Sequence, residues 1–170
     1  QPAIYFLSQR YKLKSGEGTL RQGFIALIEL QELEAGDIRP HEKTHDAPKE
    51  DRLKLMLACQ AQLSPIFALY AQPKQTINRI LALAVEGVAP AIEVEQDNGD
   101  ICNMWRITDA EVIQKVQREM QDQKLLIADG HHRYEATLNY RDHMRRERGQ
   151  WSGQESFNYI MAYCANIDDE

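Results

Sequence analysis

Apolar residues along the chain fall into short runs and helical stripes that alternate irregularly. Ala3 to Leu7 is a short apolar run that predicts a first strand, followed by a turn at Ser15-Gly16-Glu17-Gly18. Gly23 to Leu30, GFIALIEL, predicts a second strand apolar enough to be central, and Gln31 to Gly36 a short polar connection. Pro48 suits the first position of a helix with Glu50 and Asp51 in its first turn. Leu53, Leu55, Met56, Leu57 and Cys59 carry the helical period on toward Gln62.

Ser64 to Tyr70 predicts a strand entered through Pro65. Lys74 to Glu86 predicts an amphipathic helix with Ile77, Ile80, Leu81 and Ala84 inward, stopped at Gly87. Ala91 to Glu95 and Ile101 to Ile107 flank Asp97-Asn98-Gly99-Asp100, and Asn-Gly between two such runs signals a hairpin. Thr108 with Glu111 three residues on forms a capping box for a helix whose stripe is Val112, Ile113 and Val116. Leu125 to Ala128 predicts a short buried strand, His131 to Arg148 a long helix and Asn158 to Cys164 a last strand, with Asp168-Asp169-Glu170 a frayed end. The irregular alternation and the embedded hairpin imply an α+β fold, a mixed β-sheet with flanking helices.

Composition narrows the function classes. At 170 residues one domain over 1–170 is the default, and 43% hydrophobic residues suffice for a real core. A net charge of −6 argues against a dedicated nucleic-acid binder, whose affinity comes from neutralising phosphates. Cys59, Cys102 and Cys164 are odd in number, far apart and in no CxxC pair, so neither a disulfide framework nor a zinc ribbon is implied. No secretory leader pattern and no apolar run of spanning length is present, and the expectation is a cytoplasmic protein that engages no membrane.

The candidate chemistry gathers at Leu125 to Tyr140, LLIADGHHRYEATLNY, where the buried run meets Asp129-Gly130 and turns into a helix. The first N–H groups of a helix lack intrahelical partners and the macrodipole adds partial positive charge, so this junction outlines a phosphate cradle. Gly130 permits close backbone approach, His131 and His132 offer donors, and Arg133 supplies a planar fork for phosphate oxygens. Asp129 fits if it holds Mg²⁺ or orients an attacking group. Ordinary turn chemistry accounts for the same letters equally well, with Asp129 as a helix cap and the histidines as surface residues.

The string DGHHRYEA resembles the signature box of the ParB/sulfiredoxin superfamily, in the form carried by archaeal free-serine kinases. More widely, RPHEKT (Arg39–Thr44), PKEDRL (Pro48–Leu53), SPIFALY (Ser64–Tyr70), MWRI (Met104–Ile107) and IADGHHRYEA (Ile127–Ala136) are similar to a family of bacterial and archaeal proteins known only as a domain of unknown function. Members of that family are longer at both ends, which implies that this chain is a central fragment. The resemblance implies a ParB/sulfiredoxin-like core carrying residues 54–122 as an inserted helix, strand and hairpin region.

His41-Glu42-Lys43-Thr44-His45 matches the zinc-protease motif HExxH, which works only when both histidines leave one face of a continuous helix. Pro40 directly before it and Pro48 shortly after argue against such a helix. In the serine kinases a PHE tripeptide follows an early strand and its glutamate is the base for the serine hydroxyl. By that resemblance Glu42 is the catalytic base and Asp129 its partner. Gly130, His131, His132 and Arg133 then hold the phosphates of ATP or ADP, with Mg²⁺ at Asp129. His41, Arg52, Glu135 and Trp105 are candidate substrate contacts, although a lone Trp in a strand is more often core. Lys49 also lies close to Glu42 in sequence, as a phosphate contact or a solvated helix charge.

The implied activity is a nucleotide-dependent small-molecule kinase acting on a hydroxyl acceptor, serine being the model. Two rivals stay open: a non-catalytic nucleotide- or phosphate-binding module, and a ParB-like nucleotide switch with a DNA-related role. Sulfiredoxin chemistry needs a cysteine where this chain has His131. The long stretch 43–128 between the PHE tripeptide and the box decides between a competent site and a blocked one, through whether Glu42 converges with Asp129.

Overall fold

The computed structural model describes residues 1–13, 15–33 and 36–169. In chain order, β1 (Ile4–Lys12) and β2 (Gly18–Glu29) precede a short β3 (Ile38–Arg39), α1 (Asp46–Cys59), β4 (Ile66–Tyr70) and α2 (Thr76–Ala84). Then follow β5 (Ile92–Glu95), β6 (Ile101–Ile107), α3 (Ala110–Met120), β7 (Leu125–Asp129), α4 (His131–Arg148) and β8 (Tyr159–Asn166). The fold is α+β with mixed strand pairing, parallel for β3 with β7 and antiparallel for β1 with β2 and β6. Among the described residues no helix is long and apolar enough to cross a membrane. The chain forms two compact units, one of Gln1–Ala26, Leu69–Gln123 and the chain end from Cys164, the other of Leu27–Ala68 and Lys124–Tyr163.

In the first unit the strand order is β2-β1-β6-β5. Phe6 lies opposite Phe24 on one side and Trp105 on the other, so β1 has a ladder on both edges. That double pairing carries β1 beyond the apolar run, to Lys12, where the sequence pattern ends it at Leu7. Phe6, Phe24, Tyr70, Ile77, Leu81, Val116 and Cys164 form its core, and burial pushes the Cys164 thiol up to about 12, which keeps it uncharged and inert. The hairpin forms as the Asn-Gly signal predicts, with Gly99 at φ +81°.

Two terminal details of this unit differ from expectation. Asp109, not Thr108, caps α3: its carboxylate accepts from the N–H groups of Glu111 at 2.8 Å and Val112 at 3.2 Å. The acidic end is not frayed over its described part, because Asp169 accepts the Gln22 N–H at 3.1 Å and the Asp168 carbonyl accepts from Gln75 at 2.8 Å. Glu170 lies outside the described residues.

In the second unit the order is β3-β7-β4-β8. Ile66, Ala68, Ile127, Tyr134, Ala136, Ile160 and Ala162 are its innermost residues. Met56 of α1 packs with Tyr140 of α4 and with Phe157, flanked by Leu53 and Met144. α1 begins at Asp46, so Pro48 sits third rather than first. A proline is tolerated there because no N–H of the opening turn has an intrahelical partner.

α4 spans His131–Arg148 as its pattern predicts, and ends at Gly149 in the left-handed region with its N–H given to the Arg145 carbonyl. The arginines of its last turn suit the negative helix end, and Arg145 is more than a solvated charge: its guanidinium donates to Asn158 Oδ1 at 3.0 and 2.6 Å. Tyr134, fully buried, accepts the Gln31 N–H at 3.0 Å and donates to the Gln31 carbonyl at 2.8 Å. One phenol thereby satisfies both backbone groups of the residue that leaves β2.

Candidate functional site

Two residues of β3 carry no pattern of their own, yet they position the site. Ile38 pairs with Leu125 and Arg39 with Leu126 in parallel, so both strands end in the same direction. The loop leaving β3 is Pro40-His41-Glu42, and the residues leaving β7 are Asp129-Gly130-His131. Parallel neighbours set their following loops side by side, which is why open α/β sheets bind ligands beyond the carboxyl ends of their strands. The stretch 43–124 leaves this edge and returns to it, and PHE meets DGHHR despite their separation in sequence.

The box grips the loop at three points. His131 Nε2 accepts the His41 N–H at 3.3 Å, His132 Nε2 accepts the His45 N–H at 3.1 Å, and Glu135 accepts from the Thr44 hydroxyl at 2.7 Å and from Lys49 at 3.0 Å. A neutral imidazole that accepts at Nε2 carries its proton on Nδ1, so both histidines of the box are of the Nδ1–H form. His131 Nδ1 faces Glu42 Oε2 at 3.7 Å. His41 turns its own Nδ1 to the Ile127 carbonyl at 2.7 Å and sets its ring edge-on to His131, centroids 4.5 Å apart. Burial chiefly, then the neighbouring His41, lowers the His131 pKa, against the opposing pull of Glu42 and Asp129.

Helix α4 opens without a side-chain cap. Its N-cap is Gly130 at φ +93°, a conformation that an L side chain adopts only with strain, and the first intrahelical bond is Tyr134 N–H to the Gly130 carbonyl at 2.9 Å. Among the described residues no side chain accepts from the amides that precede it, those of His131, His132 and Arg133. Asp129 does not cap the helix; its carboxylate pairs with Arg133. The Arg133 fork folds back over Gly130 and also donates to Ser64 Oγ at 3.1 Å and to the Pro65 carbonyl.

The sequence-predicted residues therefore divide. Glu42, Asp129, Gly130, His131, His132, Arg133 and His41 gather around the start of α4. Glu135 is one turn further along, where it clamps Thr44 and Lys49 and so positions the loop. Lys49 is held by Glu135 and Asp46, whose hydrogen bonds raise its pKa. Arg52 lines a shallow cavity with Leu55, Met56, Leu63, Arg133 and Ile160. Trp105 belongs to the first unit, where its ring lies 5.7 Å from Phe6 and its indole N–H donates to the Val88 carbonyl at 2.8 Å, so its polar handle is engaged.

Sequence reasoning missed Thr44 and Ser64. Each stands in a motif, RPHEKT and SPIFALY, but a hydroxyl carries no periodicity and gains meaning only from the partner the fold supplies. The HExxH letters do not make a zincin site, since His41 and Glu42 lie in the loop before α1 and His45 is its N-cap residue, with no continuous helix joining them. No curated protein and no solved structure matches the chain. The family model described as "Protein of unknown function (DUF1015)" matches residues 1–170, from the first strand through the PHE loop and the box to the last strand. The chain belongs to that family.

Proposed function

We propose that the protein is a nucleotide-dependent phosphotransferase of the free-serine-kinase type, moving a phosphoryl group from ATP or ADP to the hydroxyl of a small molecule such as serine. One observation carries the reading: β3 and β7, as parallel neighbours, deliver Glu42 and Asp129 to the same uncapped helix N-terminus. Amides without side-chain partners at a positive helix end fit a phosphate, and Gly130 lets that phosphate come close to the backbone. The group therefore suits the residues present.

In this reading the amides of His131, His132 and Arg133 and the Arg133 guanidinium bind the phosphates, and the His132 Nδ1–H adds a donor. Asp129, whose side chain is 73% exposed, is the residue that would hold Mg²⁺, which supplies charge neutralisation when bound. Glu42, 60% exposed and unencumbered by any strong ion pair, takes the proton of the acceptor hydroxyl as the oxygen bonds to phosphorus and the nucleotide leaves. Phosphoryl transfer asks a protein mainly for positioning and charge stabilisation, and the three clamps on the 41–49 loop provide the positioning.

Calorimetry of the chain with Mg·ATP and Mg·ADP, repeated on Arg133→Ala, tests the cradle. Binding that is lost in the variant, followed by phosphoserine formation that Glu42→Gln abolishes, is the expected result. Absence of binding to either nucleotide removes the reading. A second reading, a phosphate-binding module without chemistry, draws on the Arg133 contacts: a fork held by Ser64, the Pro65 carbonyl and Asp129 is already committed. Nucleotide binding that survives Arg133→Ala, with no transfer to any hydroxyl acid, favours it.

A further inference from the structure

The letters HEKTH fail as a zincin motif, yet two of their three donors meet a third from the box. One ligand atom each from His41, Glu42 and His131 lie within 4.8 Å of one another. We infer that these three residues form a binding site for a divalent first-row transition metal ion of the Zn²⁺ class, built across the β3 and β7 loops. The inference does not rest on the phosphotransferase reading.

The donor set selects the ion class. Two imidazole nitrogens and one carboxylate suit zinc, iron, cobalt or nickel, whereas Mg²⁺ asks for oxygen ligands. Two bonds of about 2.1 Å at a tetrahedral angle set donor atoms about 3.4 Å apart. The His131 Nδ1 to Glu42 Oε2 gap of 3.7 Å is too long for a hydrogen bond and close to that span. Closing the rest of the cluster asks for side-chain movement only at His41 and Glu42, which are exposed, around a His131 that is buried.

A separate observation points to a ligand. His41 donates Nδ1–H to the Ile127 carbonyl at 2.7 Å, the bond that orients a metal-bound histidine and leaves its Nε2 lone pair free. The buried His131 turns Nδ1 toward Glu42 Oε2 at 3.7 Å, so the ring already faces the other donors. For Nδ1 to take the ion its proton moves to Nε2, giving up the 3.3 Å bond from the His41 N–H, the longest of the three clamps on the loop. Three protein ligands leave at least one position for water, the arrangement of an open rather than a closed site. An ion here occupies the Glu42 carboxylate, so metal binding and proton abstraction by Glu42 exclude each other.

Zn²⁺ titration of the chelator-stripped chain by calorimetry, and Co²⁺ loading followed by visible absorption, test the site without any nucleotide. One ion per chain, a nitrogen-ligated Co²⁺ spectrum, and affinity at least about 10-fold weaker in both Glu42→Gln and His41→Gln are expected. Both substituted residues are exposed, and a thermal melt of each variant verifies that it folds. No stoichiometric ion, or Zn²⁺ bound equally well by both variants, overturns the inference. Nucleotide binding has its own outcome in a separate titration, so failure of one does not decide the other.

Discussion

Helices α3 and α4 each follow a strand by only a few residues, and their first turns differ in kind. α3 begins with Asp109, whose carboxylate satisfies two amides, and it shows an amphipathic stripe with Val116 buried. α4 begins with a left-handed glycine and no cap, and the side chains around it spend their hydrogen bonds on a neighbouring loop. A capped terminus has its donors satisfied by its own chain and is complete. An uncapped one, surrounded by groups held in place by other contacts, leaves its donors for something else.

On the proposed phosphotransferase reading, Glu42→Gln should give the largest effect, a loss of about 10²–10⁴-fold in phosphoryl transfer with folding unchanged, read by phosphoserine formation beside a thermal melt. Tyr134→Phe tests how α4 is anchored. Losing a buried hydroxyl that serves both backbone groups of Gln31 should cost about 1–3 kcal/mol in chemical denaturation. Gly130→Ala should cost about 1–2 kcal/mol from φ +93° alone and weaken nucleotide binding as well. Asp109→Ala should cost about 1 kcal/mol and leave nucleotide binding untouched. Equal effects of these last two variants on binding would erase the distinction between the two helix starts.

The smallest effect is a pH dependence. His131 has a folded pKa below its unfolded value of 6.5, so the unfolded chain takes up the proton first on acidification. Stability should fall as pH drops below about 6.5 and level off once the folded form is protonated too. His131→Asn should flatten that slope in denaturation curves recorded between pH 7 and 5.

Much of this was legible in residues 101–148. The Asn-Gly hairpin, the strand Leu125 to Ala128 and the helix His131–Arg148 carry strong local signals, and all three form where the pattern puts them. The convergence of Glu42 with the box was not legible from pattern, because Ile38 and Arg39 are too few to show a period and their partners lie at Leu125 and Leu126. The cap at Asp109 was misplaced by one residue because Thr108 and Asp109 are both good caps and only geometry selects between them. The role of Glu135 was unreadable for another reason: a carboxylate one turn into a helix is equally suited to a ligand or to Thr44 and Lys49.

The pairing of β3 with β7 also governs which changes of length the chain tolerates. The segment between them carries α1, β4, α2, β5, β6 and α3, so added length is cheap only in the turns that join these elements, where doubling a flexible loop costs only about 0.6 kcal/mol. A slip of one residue in the register of two short strands instead displaces Glu42 by about 3.3 Å along the strand direction, beyond reach of His131. Added residues in the exposed turns between those elements are thus nearly silent, while a single added residue between Ile38 and Glu42 separates the two halves of the site.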